Sequence, residues 1–209
     1  MISIGNDIVD LKHIDKQRTC DRRFFSKILS PQEELLFSGF QSAQLPFEVF
    51  VWLLWSAKES VYKFLKRHQP GLVFSPVKFQ VVDISTPLFA SAHKQETALG
   101  FDERVLNMEL LFAEQQYHVK SVVTPPYIAS FISADFNKSY WGIRHVENPD
   151  PESLSAAVRL FAKERLVQLY PDLKVDFKKH DTGYPFIEST SLCISFSHHG
   201  NWVSYAFTQ

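Results

Sequence analysis

The sequence predicts an α+β fold in which the order strand, helix, strands occurs twice, over residues 1–137 and 138–209. The prediction depends on alternating apolar runs typical of antiparallel strands and on two long segments with apolar residues at helical spacing. No low-complexity segment and no obvious internal repeat interrupts this order. The 209 residues are 45% hydrophobic and include 19 Phe, enough for one large domain or two closely packed halves.

The first half is expected to begin with a strand over residues 2–11, where apolar side chains alternate with small or polar ones. Ser30, followed by Pro31 and acidic residues, is a typical helix N-cap. A long helix is predicted over residues 47–66. Four later segments rich in β-branched and aromatic residues predict an antiparallel meander: 78–84, 107–113, 117–123 and 127–134.

The second half is expected to contain a strand, a Pro-rich turn and an amphipathic helix from about residue 151 to residue 170. The helix is indicated by side chains at helical spacing: Leu154, Val158, Phe161, Arg165 and Leu169. Two alternating runs follow within residues 191–207, on either side of the polar sequence HHGN. We interpret them as a β-hairpin with His198 at its tip.

The composition excludes several classes of protein. A formal net charge of −1 argues against a general nucleic-acid binder, although local basic clusters can still bind anions. The two cysteines, Cys20 and Cys193, are far apart and form neither a disulfide framework nor a zinc-binding pattern. The N-terminus has no export signal, and the apolar run at 49–55 is too short to span a bilayer. We expect a cytoplasmic protein that binds neither membranes nor nucleic acid.

The predicted helix 47–66 combines an apolar run with charged residues on one stripe. Residues three and four apart share a helix face, which groups Trp52, Trp55, Glu59, Tyr62, Lys63 and Lys66. One interpretation is a packed helix with a surface ion pair between Glu59 and Lys63. The other is that Glu59 holds a metal or accepts a proton while the lysines meet an anion. This second interpretation requires another carboxylate and another anion site elsewhere.

The sequence GNDIVDL near the N-terminus offers the second carboxylate. In an extended strand Asp7 and Val9 share a face, whereas Asp10 points the other way. Asp7 and Glu59 together would leave room for water and phosphate oxygens, the environment that Mg²⁺ prefers. The alternative is that Asp7 caps a turn after the strand and Asp10 is solvated.

The sequence SFSHHG offers the second anion site. Adjacent histidines in an extended chain point to opposite faces, so His198 and His199 are a poor pair of metal ligands. A hairpin also lacks the strand-to-helix elbow of a hydrolase serine. Ser197, His198 and the amides near Gly200 can instead donate hydrogen bonds to a phosphate. A solvated loop histidine is the alternative.

Taken together, these motifs resemble the 4′-phosphopantetheinyl transferase superfamily, which includes the holo-acyl-carrier-protein synthases and the surfactin-synthetase-activating type. GNDIVDL is similar to the glycine-x-aspartate strand of the family and WSAKESVYK to its lysine-glutamate-x-x-x-lysine helix. GYPFI and ISFSHHGNWVSYAF resemble its glycine-x-proline and serine-histidine motifs, and RRFFSKILSPQE and GLVFSPVKFQV extend the likeness over most of the chain. The half with Asp7 and Glu59 comes first here, whereas it comes second in the surfactin-activating type, so the resemblance implies a permuted order of the halves or, equivalently, an enlarged holo-synthase-like order.

The resemblance implies two pseudo-two-fold halves with coenzyme A between them, and transfer of its 4′-phosphopantetheine group to a serine of an apo carrier protein. Asp7 and Glu59 would bind Mg²⁺, Glu59 or a water on the metal would take the serine proton, and Lys63 would stabilise the departing 3′,5′-ADP oxygen. The implied coenzyme A-binding residues are Ser197, His198, Lys58, Lys63, Lys66, Arg67 and Lys163. Among them, His198 would bind a phosphate with help from Lys58, and Lys66, Arg67 and Lys163 would meet the 3′-phosphate.

Three positions depart from the family pattern. Val9 stands where the surfactin-activating type has a third acidic ligand, and Tyr184 replaces the usual lysine of the glycine-lysine-proline motif. His199 replaces a small residue, and the sequence assigns it no role. The competing hypotheses are a non-catalytic coenzyme A or carrier-protein binding module of the same fold and a metal-dependent phosphohydrolase.

The resemblance also implies partners. The carrier protein would belong to fatty-acid, polyketide or nonribosomal peptide synthesis, and the enzyme is expected to act as a monomer because one chain supplies both halves. An expected docking surface for an acidic carrier protein consists of basic residues after the first strand: Lys12, Lys16, Arg18, Arg22, Arg23 and Lys27. The alternative is an ordinary solvated face, since Asp15 and Asp21 interrupt the run.

Overall fold

The computed structural model describes residues 3–40, 45–86, 95–97, 103–147, 149–188 and 190–209. Within them the helices are α1 (Lys16–Thr19), α2 (Arg22–Phe25), α3 (Pro31–Phe40), α4 (Phe47–Lys66) and α5 (Pro151–Leu169). The strands are β1 (Ile4–Asp10), β2 (Gln80–Ser85), β3 (Gln95–Thr97), β4 (Arg104–Phe112), β5 (Gln115–Val123), β6 (Tyr127–Ser133), β7 (Ser139–His145), β8 (Phe177–Lys179), β9 (Pro185–Ile187), β10 (Cys193–His199) and β11 (Trp202–Thr208). The protein is therefore of mixed α+β class, as the sequence predicts.

The described strands form two larger sheets and one hairpin. The first sheet has five strands in the order β1-β6-β5-β4-β2, all paired antiparallel. The second has four strands in the order β10-β11-β7-β3, of which only the pairing of β3 with β7 is parallel. β8 and β9 form a separate antiparallel pair. The meander over β4, β5 and β6 confirms the sequence prediction.

Three apolar clusters fill the spaces between these elements and define the layers. One lies between α4 and the first sheet and includes Leu54 and Ile128. A second lies between α5 and the second sheet and includes Phe161 and Tyr205. The third joins the two sheets and includes Ile8. The order of layers is thus α4, first sheet, second sheet, α5, with burial of apolar surface holding each contact.

Strand β1 lies at the centre of this arrangement, and all seven of its residues are buried. Gly5 permits its approach to α4, because a Cβ at this position would lie 2.0 Å from the carbonyl oxygen of Ser60 and 2.8 Å from the amide nitrogen of Phe64. No side chain can occupy that space without moving the helix. The alternation of the strand then places Asp7 toward α4 and Asp10 toward the second sheet, as its period of two requires.

Most predicted elements are present. The long helix spans Phe47–Lys66 as predicted, and β1 lies within the predicted strand 2–11, of which residue 2 is outside the described residues. Ser30 does cap α3: its hydroxyl accepts the Glu33 amide proton at 3.3 Å, and its own amide donates to Glu33 Oε2 at 2.7 Å. This reciprocal pair is a capping box.

Two features differ from the prediction. His198 does not lie at the hairpin tip, because β10 continues to His199 and the turn is made by Gly200 and Asn201. Gly200 has a positive φ of 54°, which suits a tight turn. In addition, β3 belongs to the predicted first half but pairs with β7 of the second sheet. The division at residues 137 and 138 remains a prediction. No described helix is long and apolar enough to cross a membrane.

Candidate active site

Asp7, Glu59 and Lys63 form a compact charged cluster between β1 and α4. The Nζ atom of Lys63 lies 3.1 Å from Asp7 Oδ1 and 3.3 Å from Glu59 Oε1. Asp7 is 4% exposed, whereas a quarter of the side chains of Lys63 and Glu59 remains accessible. The two carboxylates predicted from separate motifs therefore do meet, and Lys63 bridges them.

The pKa values of Glu59 and Lys63 are both raised in this cluster. Burial raises the pKa of Glu59, and the Asp7 charge raises it further, while Lys63 and a hydrogen bond from Trp55 act in the opposite direction. Burial alone would lower the pKa of Lys63, but the two carboxylates outweigh it, so that the pKa lies above the usual lysine value. Lys63 is therefore firmly cationic at neutral pH, and Glu59 is a more basic carboxylate than usual.

One carboxylate oxygen of the cluster lacks a partner. Ser197 Oγ donates to Asp7 Oδ1 at 2.9 Å, but Asp7 Oδ2 is buried and has no hydrogen-bond partner in the described part of the protein. An unpaired buried carboxylate oxygen is costly, and a bound cation would offset that cost. No group of three or more His, Cys, Asp or Glu in the described ranges could hold a metal ion. Two carboxylates nevertheless fit Mg²⁺, which usually takes one or two carboxylates together with substrate phosphates.

A row of side-chain hydrogen bonds joins β1 to β10. The amides of Asn6, Ile8 and Asp10 donate to Ser195 Oγ at 3.2 Å, Ser197 Oγ at 3.1 Å and His199 Nδ1 at 2.9 Å, respectively. The alternate β1 amides at the sheet edge are thus satisfied by alternate side chains of β10, and not by another backbone. We call this row of three hydrogen bonds the seam. It holds Ser197 beside Asp7.

Two adjoining cavities open beside the cluster. The first, of ≈ 250 Å³, is lined by Ile4, Tyr62, Lys63, Lys66, Arg67, Thr182, Gly183, Tyr184, Pro185, Ile194, Ser195 and Phe196. The second, of ≈ 460 Å³, is lined by Asp7, Ile8, Val9, Trp52, Trp55, Glu59, Lys63, Phe196, Ser197, His198 and His199. Lys63 and Phe196 line both cavities, so the charged cluster lies where they adjoin.

The first cavity brings two predicted residues, Lys66 and Arg67, next to Tyr184. The Nζ atom of Lys66 donates to two backbone carbonyls, those of Pro70 and Leu72. Arg67 Nη2 donates to the Ile194 carbonyl at 2.8 Å, and its guanidinium lies 4.3 Å from the centre of the Tyr184 ring. The His180 ring also stacks on Tyr184, at a centroid distance of 4.5 Å, so the Tyr184 ring is packed between neighbours of this cavity.

Two predicted residues are not at the site. Lys58 is fully buried, and its Nζ donates to Glu33 Oε2 at 2.8 Å and to the carbonyl of Ile28. The predicted assistance of Lys58 in phosphate binding is therefore corrected, because its ammonium is used inside the core, on the side of α3. Lys163 is an exposed residue of α5 and lines neither cavity.

Ser197 and His198 both line the second cavity but lie on different faces of β10. Ser197 faces β1 and donates to Asp7, whereas the exposed His198 points to the other face. Burial lowers the pKa of His198, and the positive charges of Lys63 and Arg159 lower it further. His198 is thus largely neutral at physiological pH and can serve as a hydrogen-bond donor.

Sequence reasoning missed several residues that build the site. Asp10 is not solvated: it is 1% exposed, and its carboxylate accepts the amides of Lys12 and Asn201 and contacts His13 at 2.8 Å. Ser195 and His199, the other side-chain acceptors of the seam, were also missed. Their signal is present in the sequence, because the residues from 193 to 199 place small or polar side chains on one strand face and apolar ones on much of the other.

Comparison with known proteins identifies a family. A family model described as 4′-phosphopantetheinyl transferase superfamily matches residues 3–119. The matched segment includes Asp7, Glu59 and Lys63, and the serine and histidine of β10 lie outside it. No curated protein matches the chain significantly. Because the family match covers more than half of the sequence, this protein belongs to the 4′-phosphopantetheinyl transferase superfamily.

Proposed function

We propose that the protein transfers the 4′-phosphopantetheine group of coenzyme A to a serine of an apo carrier protein, with Mg²⁺ as cofactor and 3′,5′-ADP as the second product. The observation that carries the proposal is the buried, unpaired Oδ2 atom of Asp7, a residue that lines a cavity together with Glu59. Membership of the superfamily supports the reaction class. Asp7 and Glu59 are the proposed Mg²⁺ ligands.

The two adjoining cavities suggest how coenzyme A would lie. The nucleotide suits the first cavity, where Arg67 and Lys66 offer positive charge for the 3′-phosphate. The pyrophosphate would then reach Lys63, which lines both cavities, and the pantetheine arm would continue into the second cavity. His198 would donate a hydrogen bond to a phosphate oxygen there, and Ser197, whose single hydroxyl proton goes to Asp7, would hold that carboxylate in place. Lys58 and Lys163 are not part of the proposed binding set.

The proposed chemistry is a displacement at phosphorus. The Oγ atom of the carrier serine forms a bond to the β-phosphate, and the bond from that phosphorus to the bridging oxygen of the 5′-phosphate breaks, releasing 3′,5′-ADP. Bound Mg²⁺ would neutralise charge on the pyrophosphate. The Glu59 carboxylate, whose pKa is raised by burial, is the proposed acceptor of the serine proton. The Lys63 ammonium would stabilise the negative charge on the departing oxygen, because its raised pKa keeps it charged.

The basic segment that follows β1 is the proposed docking surface for the carrier protein. The two acids that interrupt it have local roles, since Asp15 and Asp21 accept the amides of Arg18 and Arg23 as N-caps of α1 and α2. The Trp52 indole, which lines the second cavity, donates to Thr19 of α1 at 3.0 Å. Docking at α1 and α2 would thus bring an acidic carrier protein next to the cavity.

One chain would be sufficient for activity. Both cavities are lined by residues from the proposed halves 1–137 and 138–209, which we propose are related by a pseudo-two-fold axis. We therefore expect the active species to sediment as a monomer. Activity found only in a trimer, with inactive dissociated chains, would contradict this proposal.

The function can be tested directly. Incubation with coenzyme A, Mg²⁺ and a set of apo carrier proteins from fatty-acid, polyketide and peptide synthases should add one phosphopantetheine group, measured by intact mass. A chelator should abolish the addition. Binding of coenzyme A without modification of any carrier protein would favour the non-catalytic module. Hydrolysis of coenzyme A without a carrier protein would favour a phosphohydrolase.

A further inference from the structure

The seam between β1 and β10 fixes the protonation of one residue, His199, to which the sequence assigned no role. Its Nδ1 atom lies 2.9 Å from the backbone nitrogen of Asp10. A backbone amide can only donate, so Nδ1 must accept with its lone pair. A neutral imidazole carries one proton, which must then be on Nε2. The fold therefore selects one tautomer of His199.

The Nε2–H group of His199 is available to a ligand. No described residue forms a hydrogen bond with Nε2, and the side chain lines the second cavity together with Asp7 and Glu59. The ring orientation is also fixed, because it stacks on Trp52 with a centroid distance of 6.5 Å and an interplanar angle of 29°. Trp52 is itself anchored to Thr19. A preoriented donor therefore faces the cavity.

The charges around His199 are compatible with a neutral ring. Burial lowers the pKa of His199, the nearby His13 also lowers it, and Asp10 and Glu59 act in the opposite direction. Protonation of Nδ1 would also remove the acceptor of the Asp10 amide. The neutral form with a proton on Nε2 is thus the form that both the electrostatics and the seam favour.

The position of His199 along the cleft indicates which part of a substrate it would meet. The start of β1 at Ile4 lines the cavity with Tyr184, whereas the middle of β1 and His199 line the cavity with Asp7. His199 is thus on the opposite side of Lys63 from the cavity proposed for the nucleotide. A coenzyme A molecule placed along this line would bring its pantetheine-bearing phosphate toward His199.

We propose that His199 is a substrate-binding residue whose Nε2–H donates a hydrogen bond to an oxygen of the phosphate that is transferred with pantetheine. The inference depends on the proposed function, because it takes coenzyme A as the ligand. It differs from the role given to His198, because the two side chains lie on opposite faces of β10 and only His199 is held by the seam.

Two substitutions separate the binding role from the structural one. In His199→Asn, the Oδ1 atom can replace Nδ1 as acceptor of the Asp10 amide, but no group reaches the position of Nε2. In His199→Gln, the side-chain amide can reach the position of Nε2 as a donor, but the acceptor near Asp10 is lost. We expect the Asn variant to keep the thermal stability of the wild type and to lose affinity. The Gln variant should be less stable and should keep more of the affinity.

Titration calorimetry in Mg²⁺ buffer with three probes tests the proposal without measuring turnover. His199→Asn should bind coenzyme A and 4′-phosphopantetheine roughly 10- to 100-fold more weakly, the range for a hydrogen bond to a charged group. Its affinity for 3′,5′-ADP should be unchanged, because that fragment lacks the transferred phosphate. Equal affinity of the Asn variant and the wild type for 4′-phosphopantetheine would overturn the proposal. It would also be overturned if the loss of affinity in each variant were proportional to its loss of thermal stability.

The outcome also distinguishes this inference from the proposed function. If the wild-type protein modifies a carrier protein and both variants bind all three probes normally, only the role of His199 is wrong. If the wild-type protein binds none of the probes, the proposed function fails, and the role of His199 fails with it.

Discussion

Two lysines on α4 have opposite electrostatic surroundings although only five positions separate them. Lys58 is fully buried and pairs with one carboxylate, Glu33, and burial lowers its pKa despite that partner. Lys63 is a quarter exposed and lies beside two carboxylates, Asp7 and Glu59, which raise its pKa although burial opposes them. The number of nearby carboxylates therefore decides the direction of each shift.

The two clusters also differ in whether their hydrogen-bonding groups are satisfied. Glu33 accepts from the Ser30 amide, the Val81 amide and Lys58, so that this buried pair is a closed structural unit that ties together α3, α4 and β2. In the other cluster Asp7 Oδ2 is buried without a partner. The comparison teaches that adjacent charged residues in one motif, Lys58 and Glu59, can serve stability and ligand binding separately.

The largest expected effect comes from removing a carboxylate of the cluster formed by Asp7, Glu59 and Lys63. Asp7→Ala or Glu59→Ala should reduce Mg²⁺-dependent transfer by roughly a thousandfold or more, since a metal at a pyrophosphate contributes several kcal/mol. Both variants should remain folded. The measurement is the initial rate of carrier modification by mass spectrometry, with Asp83→Ala, an exposed carboxylate of β2, as the control. Near-native transfer by a folded variant would remove that residue from the proposed metal site.

Substitutions in the buried pair of Glu33 and Lys58 should lower the stability of the protein and leave its activity unchanged. Glu33→Leu leaves the Lys58 ammonium buried without its carboxylate and two amides without their acceptor, so unfolding should require about 3–5 kcal/mol less free energy. Lys58→Met should cost less, because the Glu33 carboxylate keeps both amide donors. Chemical denaturation measures both values. Normal affinity of folded Lys58→Met for coenzyme A is expected, and a selective loss would restore Lys58 to the phosphate site.

The opposite pKa shifts predict a difference in alkaline stability. Because the pKa of Lys58 is lowered in the folded state, the unfolded state binds more protons, and Lys58 makes stability rise with pH between its lowered value and the ordinary 10.5. Lys63 has a raised pKa, so its contribution is complete below 10.5 and is lost only as the pH rises through its folded value. Urea unfolding from roughly pH 8 upward should therefore show a smaller positive slope for Lys58→Met than for the wild type. Identical slopes would contradict the lowered pKa of Lys58.

The smallest expected effect concerns the docking surface, which lies outside both clusters. Substitution of Arg22 and Arg23 by Glu should raise the KM for the carrier protein by about three- to tenfold at low salt and weaken the salt dependence of this KM. The reason is that exposed charges act mainly on the rate at which the two proteins associate. The KM for coenzyme A should not change. Reversal of the exposed Lys174 and Lys179 provides a control with the same change in net charge. Unchanged carrier kinetics at low and physiological salt would place docking elsewhere.

The sequence predicted the elements of the fold well because their signals are local. The helix Phe47–Lys66 has apolar periodicity throughout, and α3 begins with a capping box within four residues. The meeting of Asp7 with Glu59 was expected from the resemblance and not from spacing, since long-range contacts leave little trace in a single sequence. In the structure, Lys63 contacts both carboxylates.

The roles that could not be predicted from the sequence depend on which element packs against each face of a strand or helix. Strand alternation separates Asp7 from Asp10, but only the packing of the two sheets shows that Asp10 is buried and accepts the Asn201 amide. In the same way, helical spacing cannot tell that Lys58 turns to Glu33 of α3 while Lys63 turns to the cavity. The periodicity of a sequence shows on which face of a helix or strand a side chain lies, but only the tertiary structure shows what that face contacts.

The hydrogen bond between Asp7 and Ser197 also has a consequence for the synthesis of the protein. These residues are 190 positions apart in the chain. At the usual rates of translation, about 10 to 40 s separate their incorporation by the ribosome. A nascent chain could therefore fold the first sheet around α4 well before β10 is available to cover the edge of β1. Such a chain would already display both carboxylates but would lack one wall of the cavity, so we expect it to be inactive until the last hairpin docks.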